Sequence, residues 1–337
     1  MAVDDRQVQH SPLRDRGGTP WVTRRGVEIA LGALWLVDGV LQFQPSMFTR
    51  GFFVDTLGMA NMGLPGPVAT VEYDLTSMLA AHPALWNALF ASLQLALGLG
   101  LLWRRTARPA LALTVLWALG VWTVGEGFGG LFMSGSDLLT GAPGAALLYA
   151  LVALALWPRP DRPDSPGRPD HCGLGTSSIA DGGVLGGAVG RWAWLVVWVA
   201  TAALELEPAA HVPAAQLSDT GEGEPAPIAA VNHAVGGLVG GWSTVFVVVL
   251  ALLEVAVGAG VLAPRTRRVA LSAGIGLAVA GGLLGQDLGG LLTGHATDPG
   301  TGPPLVLFAL VLWPRRRRAE GLKSSRRFPW SGSHTVD

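Results

Sequence analysis

The chain has 337 residues, half of them hydrophobic and only 14% charged, with a formal net charge of −1 and a mean hydropathy of +0.42. A soluble domain carries about a quarter of its residues as charges to cover its surface, so water is not this protein's only solvent. A single cysteine, Cys172, excludes an intramolecular disulfide and any CxxC redox or zinc motif.

Residues 1–24 form a polar, arginine-bearing tail without the apolar core of a signal peptide, and are expected to be disordered and cytoplasmic. The first apolar segment covers about 26–43 and stops at Pro45, because proline does not continue a helix. Residues 45–80 are too apolar for a free tether and are expected to hold a short helix at the membrane interface. Segments at about 83–103, 109–124 and 144–157 follow, the last ending Leu156-Trp157-Pro158. Residues 159–188 are rich in proline, glycine and charge, the composition of a linker. Beyond it lie segments at about 192–206, 243–263, 269–284 and 304–313. A loop bearing Asp219, Glu222 and Glu224 follows Pro208, and a basic tail covers 315–337. Several segments approach the length of about 20 residues that crosses a hydrocarbon core of about 30 Å.

Residues 94–130 align without a gap onto residues 254–290, with 13 of 37 positions identical. Each copy runs apolar segment, basic turn, apolar segment, glycine-rich turn. The stretch 35–45 matches 198–208, and 153–158 echoes 309–314. The expected fold is therefore an all-α integral membrane protein with eight transmembrane helices, arranged as two four-helix repeats over 25–158 and 189–314. Four crossings per unit insert both the same way up, related by a pseudo-twofold axis along the membrane normal. With the N-terminus inside, 22 of the 23 Lys and Arg fall on the cytoplasmic side and only Arg50 falls outside, as the positive-inside rule requires. Lipid is then the first partner, the location is a bacterial plasma membrane with both termini cytoplasmic, and no nucleic acid is expected among the partners.

This layout leaves an acidic outer face. Ionisable groups within the segments are costly in a membrane and point to function. They are Glu254, whose counterpart is Gln94, and Asp38, which stands opposite Thr201. Two readings of Glu254 stand side by side: a neutral carboxyl hydrogen-bonded to its neighbours, or one member of a proton or substrate pathway. The glycine-rich turns 125–130 and 285–290 carry Glu126, Gln286 and Asp287 and lack the lysine of a phosphate loop. Glycine lets them turn back tightly, so a paired vestibule built from them is the place to look for a ligand. Glu205, Glu207 and His211 form the nearest thing to a metal-ligand cluster, with His295 and Asp298 able to approach from the last outer loop. Pro208 disturbs the helical geometry between them, and five outward methionines, with Met59 and Met62 the one close pair, make copper the other metal to consider. No motif indicates a cofactor.

The order of parts resembles the DoxX-like family of small four-helix membrane proteins. The resemblance rests on Arg24 and Arg25 before the first segment, Gly39-Val40-Leu41-Gln42 at its end, and Glu or Gln followed by alternating glycines and a basic turn in the second. The family pattern has Lys where Gln42 stands and Glu where Gln94 stands, and only Glu254 keeps the acid. A tandem duplication of a DoxX-like unit, of the kind found in actinobacterial membranes, is what this similarity implies. It further implies an accessory subunit of a redox or cell-envelope membrane assembly, with respiratory partners, rather than an enzyme. The alternative is a small-molecule or ion transporter using Glu254 and the outward acidic vestibule.

Overall fold

The computed structural model describes residues 22–60, 62–159, 177–207, 217 and 225–315. Among them the fold is all-helical, with two isolated β-bridges and no strand. Ten α-helices exceed ten residues. They are α1 (Arg24–Leu41), α2 (Gly66–Ala80), α3 (Pro83–Leu102), α4 (Ala107–Gly120), α5 (Ala145–Leu156), α6 (Gly187–Glu205), α7 (Ala226–Gly240), α8 (Ser243–Gly260), α9 (Arg267–Ala280) and α10 (Gly302–Leu312).

Five helical stretches are long and apolar enough to cross a membrane: α3, α6, α8, and α4 and α9 each extended by a π-helical turn to Gly125 and Gly285. Only 28–39% of these stretches is buried inside the protein, so most of their apolar surface faces outward. Leu116, Leu252 and Val269 are more than 60% exposed. A soluble monomer does not present so continuous an apolar surface, whereas lipid accepts it, and the protein is membrane-embedded. α1 is as long as α8 but carries Arg24, Arg25, Glu28 and Asp38, and α5, α7 and α10 are shorter apolar helices.

The structure holds more helix than the loop compositions suggest. Residues 45–80 contain a 3-10 turn (Pro45–Phe48), a π-helical turn (Phe52–Thr56) and the four-turn helix α2, where one short interfacial helix is expected. The loop after Pro208 contains α7, for which no helix is expected at all. Gly236, Gly237 and Gly240 depress its intrinsic propensity, which hides it in the sequence. Residues 177–186, linker by composition, lie against the ends of α5 and α10: Val184 N donates to Trp157 O at 2.8 Å and Arg315 N to Ser177 O at 2.6 Å. The bounds of α2 and α7, of α4 and α9, and of the two π-helical turns are each displaced by 160 residues.

α1 and α3 run antiparallel in close contact, as do α6 and α8. Gly32 lies opposite Gly98, Leu101 and Leu102, and Gly39 opposite Leu95. Small residues let helices approach where lipid supplies no hydrophobic drive. On the basic face, Arg25 donates to the last carbonyls of α3, Leu101 O (2.8 Å) and Leu102 O, a favoured place for a cation. At the centre, α5 packs on α4, α10 on α9, and α5 and α10 on each other. Both are apolar on every side and almost wholly buried, as helices of that pattern must be.

A Cβ on Gly98 would lie 2.6 Å from Leu36 Cγ and 2.8 Å from the Gly32 carbonyl oxygen, whereas one on Gly276 meets open space. Gly98→Val should therefore destabilise the protein by about 1–3 kcal/mol through overpacking. Gly276→Ala should be neutral or stabilising by roughly 0.5–1 kcal/mol. Melting temperatures in detergent that fall equally for both would refute the close α1–α3 approach.

Candidate functional site

The two central helices decide where the site lies. At about 1.5 Å per residue, α5 with 12 residues and α10 with 11 fall well short of a hydrocarbon core of about 30 Å. Their first residues, Ala145 and Ala146 in α5 and Gly302 and Pro304 in α10, are buried. The largely irregular segments 126–144 and 286–301 lead to them. Non-helical backbone at that depth survives only where protein encloses it or where it lines a cavity.

Each buried helix start is closed by a side chain from the preceding glycine-rich turn. The Glu126 carboxylate accepts from Ala146 N at 3.0 and 3.3 Å. Gln286 Oε1 accepts from Thr301 N at 2.8 Å, while its Nε2 donates to Thr301 Oγ1 at 2.9 Å and to Leu138 O at 3.0 Å. Trp122 Nε1 adds a bond to Pro143 O at 2.8 Å. Gly129 adopts a φ of +64°, and a Cβ there would sit 1.8 Å from Pro143 O, so only glycine permits this approach. Burial and the neighbouring Asp298 carboxylate push the Glu126 carboxyl up to about 8, against the backbone donors of Ala145 and Ala146.

Two cavities adjoin this region. The shallower, of about 560 Å³, lies between the glycine-rich turns and is lined by Glu126, Gly129, Gly130, Gln286, Gly289 and Asp298 among others. The deeper, of about 410 Å³, lies within the first half. Its walls are aromatic (Trp35, Phe52, Trp86, Phe90, Trp117, Tyr149), and its polar groups are Asp38, Gln42, Gln94, Glu126, Thr297 and Asp298. Among the described residues no Lys, Arg or His lines it. Tyr149 donates to Asp38 Oδ1 at 3.4 Å and stacks edge-on against Trp35 at 4.8 Å. Trp35 Nε1, Gln42 Oε1, Gln94 Oε1 and Trp117 Nε1 are buried without a hydrogen-bond partner. Such atoms are costly to leave unpaired, and here they surround open space. Glu126, Ala145, Thr297 and Asp298 line both cavities and so form the partition between them.

The halves exchange these loops. Thr297 and Asp298, from the second half, complete the first-half cavity, and Gln44 Nε2 donates to Ala296 O at 2.8 Å. Reciprocally, the loop bearing Asp137 and Leu138 reaches Glu205 of the second half. Glu254 is completely buried beside Thr201, Glu205 and Asp137, on the second half's own α8.

Of the residues singled out in the sequence, Asp38, Gln94 and Glu126 meet in the deep cavity, and Glu126 and Gln286 share the shallow one. Glu254 lines neither. Asp287 is held elsewhere: both its carboxylate oxygens accept from Asn232 Nδ2 of α7, at 2.8 and 2.9 Å, and burial raises its carboxyl. Glu205 is buried at the end of α6, Glu207 lies just beyond it, and His211 is outside the described residues. His295 lines a separate cleft with Ser46, Met47 and Asp55. Among the described residues no three His, Cys, Asp or Glu are arranged to hold a metal ion.

Sequence reasoning overlooked Tyr149 and the aromatic walls, and grouped Asp298 with Glu205 instead of with Asp38. A signal for the loops exists. Asp137-x-x-Thr140-Gly141-x-Pro143 and Asp298-x-x-Thr301-Gly302-x-Pro304 share one pattern, displaced by 161 rather than 160 residues, so an ungapped comparison ending at Gly130 passes it by. No protein-family model, curated protein or solved structure matches the chain.

Glu126 makes stability depend on pH. An ordinary carboxyl ionises near 4.5, and this one near 8 in the folded protein. Between those values the unfolded chain has lost a proton that the folded one keeps, so stability falls as pH rises through the window. Glu126→Gln should fold, because Gln286 fills the same capping role, and its melting temperature should fall less than wild type between pH 5 and 8. Identical slopes would show that Glu126 is not a strained acid.

Proposed function

We propose that this protein is a carrier or receptor for a small molecule, which it holds in the deep cavity of its first half. The observation that supports this most directly is the cavity itself. It lies in the size range of small-molecule sites, roughly 300–1,000 Å³, and is largely apolar with a few convergent polar groups. The reading includes the full topology: eight crossings, two tandem repeats about a pseudo-twofold axis, and both termini in the cytoplasm of a bacterial cell. The arginine distribution and the recurring helix bounds support it. In that orientation the glycine-rich turns face the outside, and a ligand enters through the shallow cavity past Glu126 and Asp298. A transporter using Glu254 and the outward acidic vestibule is the alternative, but Gln94, the counterpart of Glu254, and Asp38 line the cavity and Glu254 does not.

The resemblance to DoxX-like proteins supports a second reading, an accessory subunit of a redox or envelope assembly. The same cavity would then hold a lipid-soluble redox molecule, and partner proteins would co-purify.

Protein purified in mild detergent should yield a stoichiometric small molecule on solvent extraction and mass spectrometry, reduced several-fold in Trp117→Ala. A quinone together with co-purifying subunits would favour the second reading. Recovery of nothing, with no thermal stabilisation by any compound of a small-molecule library, would sink both.

A further inference from the structure

The chemistry of the deep cavity is one-sided. Asp38, Glu126 and Asp298 contribute carboxyl groups whose charges, when ionised, act on one another. Gln42 and Gln94 contribute side-chain carbonyl oxygens that are buried and unpartnered. The donors set against these acceptors are Trp35 Nε1, Trp117 Nε1, the amide NH2 groups of the same two glutamines, and Tyr149 Oη, which already donates to Asp38. Among the described residues no cationic side chain lines the space. An anionic ligand would meet three acids and no counter-charge, at a cost that low dielectric makes steep. A purely apolar ligand would leave the glutamine carbonyls unpaired. What satisfies the lining is a cation bearing several N–H donors.

The walls specify the rest of the ligand. Trp35, Trp86, Phe90 and Trp117 surround the space, with Phe90 and Trp117 rings 5.2 Å apart. Aromatic faces attract cations, most strongly when desolvated, and bury flat apolar groups.

We propose that the deep cavity binds an organic ammonium ion with an aromatic or otherwise apolar body, its N–H groups directed at Asp38, Glu126 and Asp298. The inference rests on the small-molecule reading above and names the ligand class. Asp298 makes the site composite. Its Oδ1 accepts from Gly300 N and its Oδ2 from Thr297 Oγ1, both at 2.8 Å, so the loop of the second half presents it in a fixed orientation. The acids on the partition, Glu126 and Asp298, therefore attract the cation from the shallow cavity, and Asp38 receives it within.

Binding should be linked to protons. The titratable groups facing Glu126 are Asp38 on α1, Tyr149 on α5 and Asp298 on the exchanged loop. A bound cation favours the ionised form of Glu126, so affinity should rise as pH passes upward through the range where it titrates, near 8.

The test is binding of phenethylammonium to the full-length protein in nanodiscs, followed by tryptophan fluorescence and calorimetry. Two isosteric probes accompany it: neutral 2-phenylethanol and anionic phenylacetate. The expected result is saturable binding of the ammonium, at least tenfold tighter than the alcohol, with no binding of the acid. Asp298→Asn and Glu126→Gln should each weaken the ammonium at least tenfold, leaving the alcohol unchanged. In wild type the affinity should rise between pH 6.5 and 8.5, and in Glu126→Gln it should stay flat. Equal binding of ammonium and alcohol would overturn the cation proposal while leaving a small-molecule site in place. Failure of all three probes to bind, in protein whose melting temperature is that of the wild type, would overturn the proposal by itself. The extraction experiment then decides the broader reading separately.

Discussion

Backbone satisfaction within the membrane is the constraint on which the rest of this structure depends. A buried N–H or C=O without a partner costs several kcal/mol where no water can reach it. Helices long enough to span avoid the problem, but α5 and α10 are too short to cross a hydrocarbon core as helix alone. Their first-turn N–H groups lie inside the protein and need acceptors, although Pro303 and Pro304 at the start of α10 carry no N–H. Glu126 and Gln286 meet that need from the preceding turns. The glycines around them are then required by geometry, since the chain must pass within contact of the Pro143 and Asp298 carbonyls. The cavities follow as the space left between a re-entrant loop and a short helix.

That arrangement also ties the halves together. α5 and α10 are apolar on all sides and pack on each other, so each loop leading to one of them lies beside the opposite half. Exchange of the Asp137 and Asp298 loops is the consequence. Neither half could form its acid cluster alone. A tandem fusion would hold such an exchange within one chain, where two separate copies would need to dimerise.

Much of the helical layout was legible because apolar periodicity and proline stops are local signals. α3, α4, α8 and α9 lie within a residue or a few of the segments read from composition. α7 was not, because its glycines argue against a helix. The site was legible in part. Glu126, Asp38 and Gln94 stood out as polar groups in apolar surroundings, a one-dimensional property. Their meeting with Asp298, more than 170 residues from Glu126, depends on the loop exchange, which no hydropathy pattern encodes. The aromatic walls were invisible for another reason: a tryptophan lining a cavity and a tryptophan facing lipid look alike in sequence.

The departures between the two halves carry the functional argument further than their likeness does. Where the first half has Leu31, the second has Trp194, buried fully and bonded to Val257 O at 3.2 Å. Gly274 leaves room for its ring, whose Cζ2 would otherwise lie 2.5 Å from a Cβ, while the corresponding Thr114 admits no such ring. Trp194, Trp198 and Phe308 then pack against one another within the second half. The acids have diverged in the opposite sense. The first half places Gln42 and Gln94 where the second has Glu205 and Glu254, yet keeps Glu126 where the second has Gln286. Structural constraint alone would conserve or lose the buried polar groups of the two halves in parallel. Here they trade positions, with an open aromatic chamber on one side and a packed acid cluster on the other. That division is what specialisation of one half for a ligand would produce, with the other half retained for the loop and the carboxylate it lends.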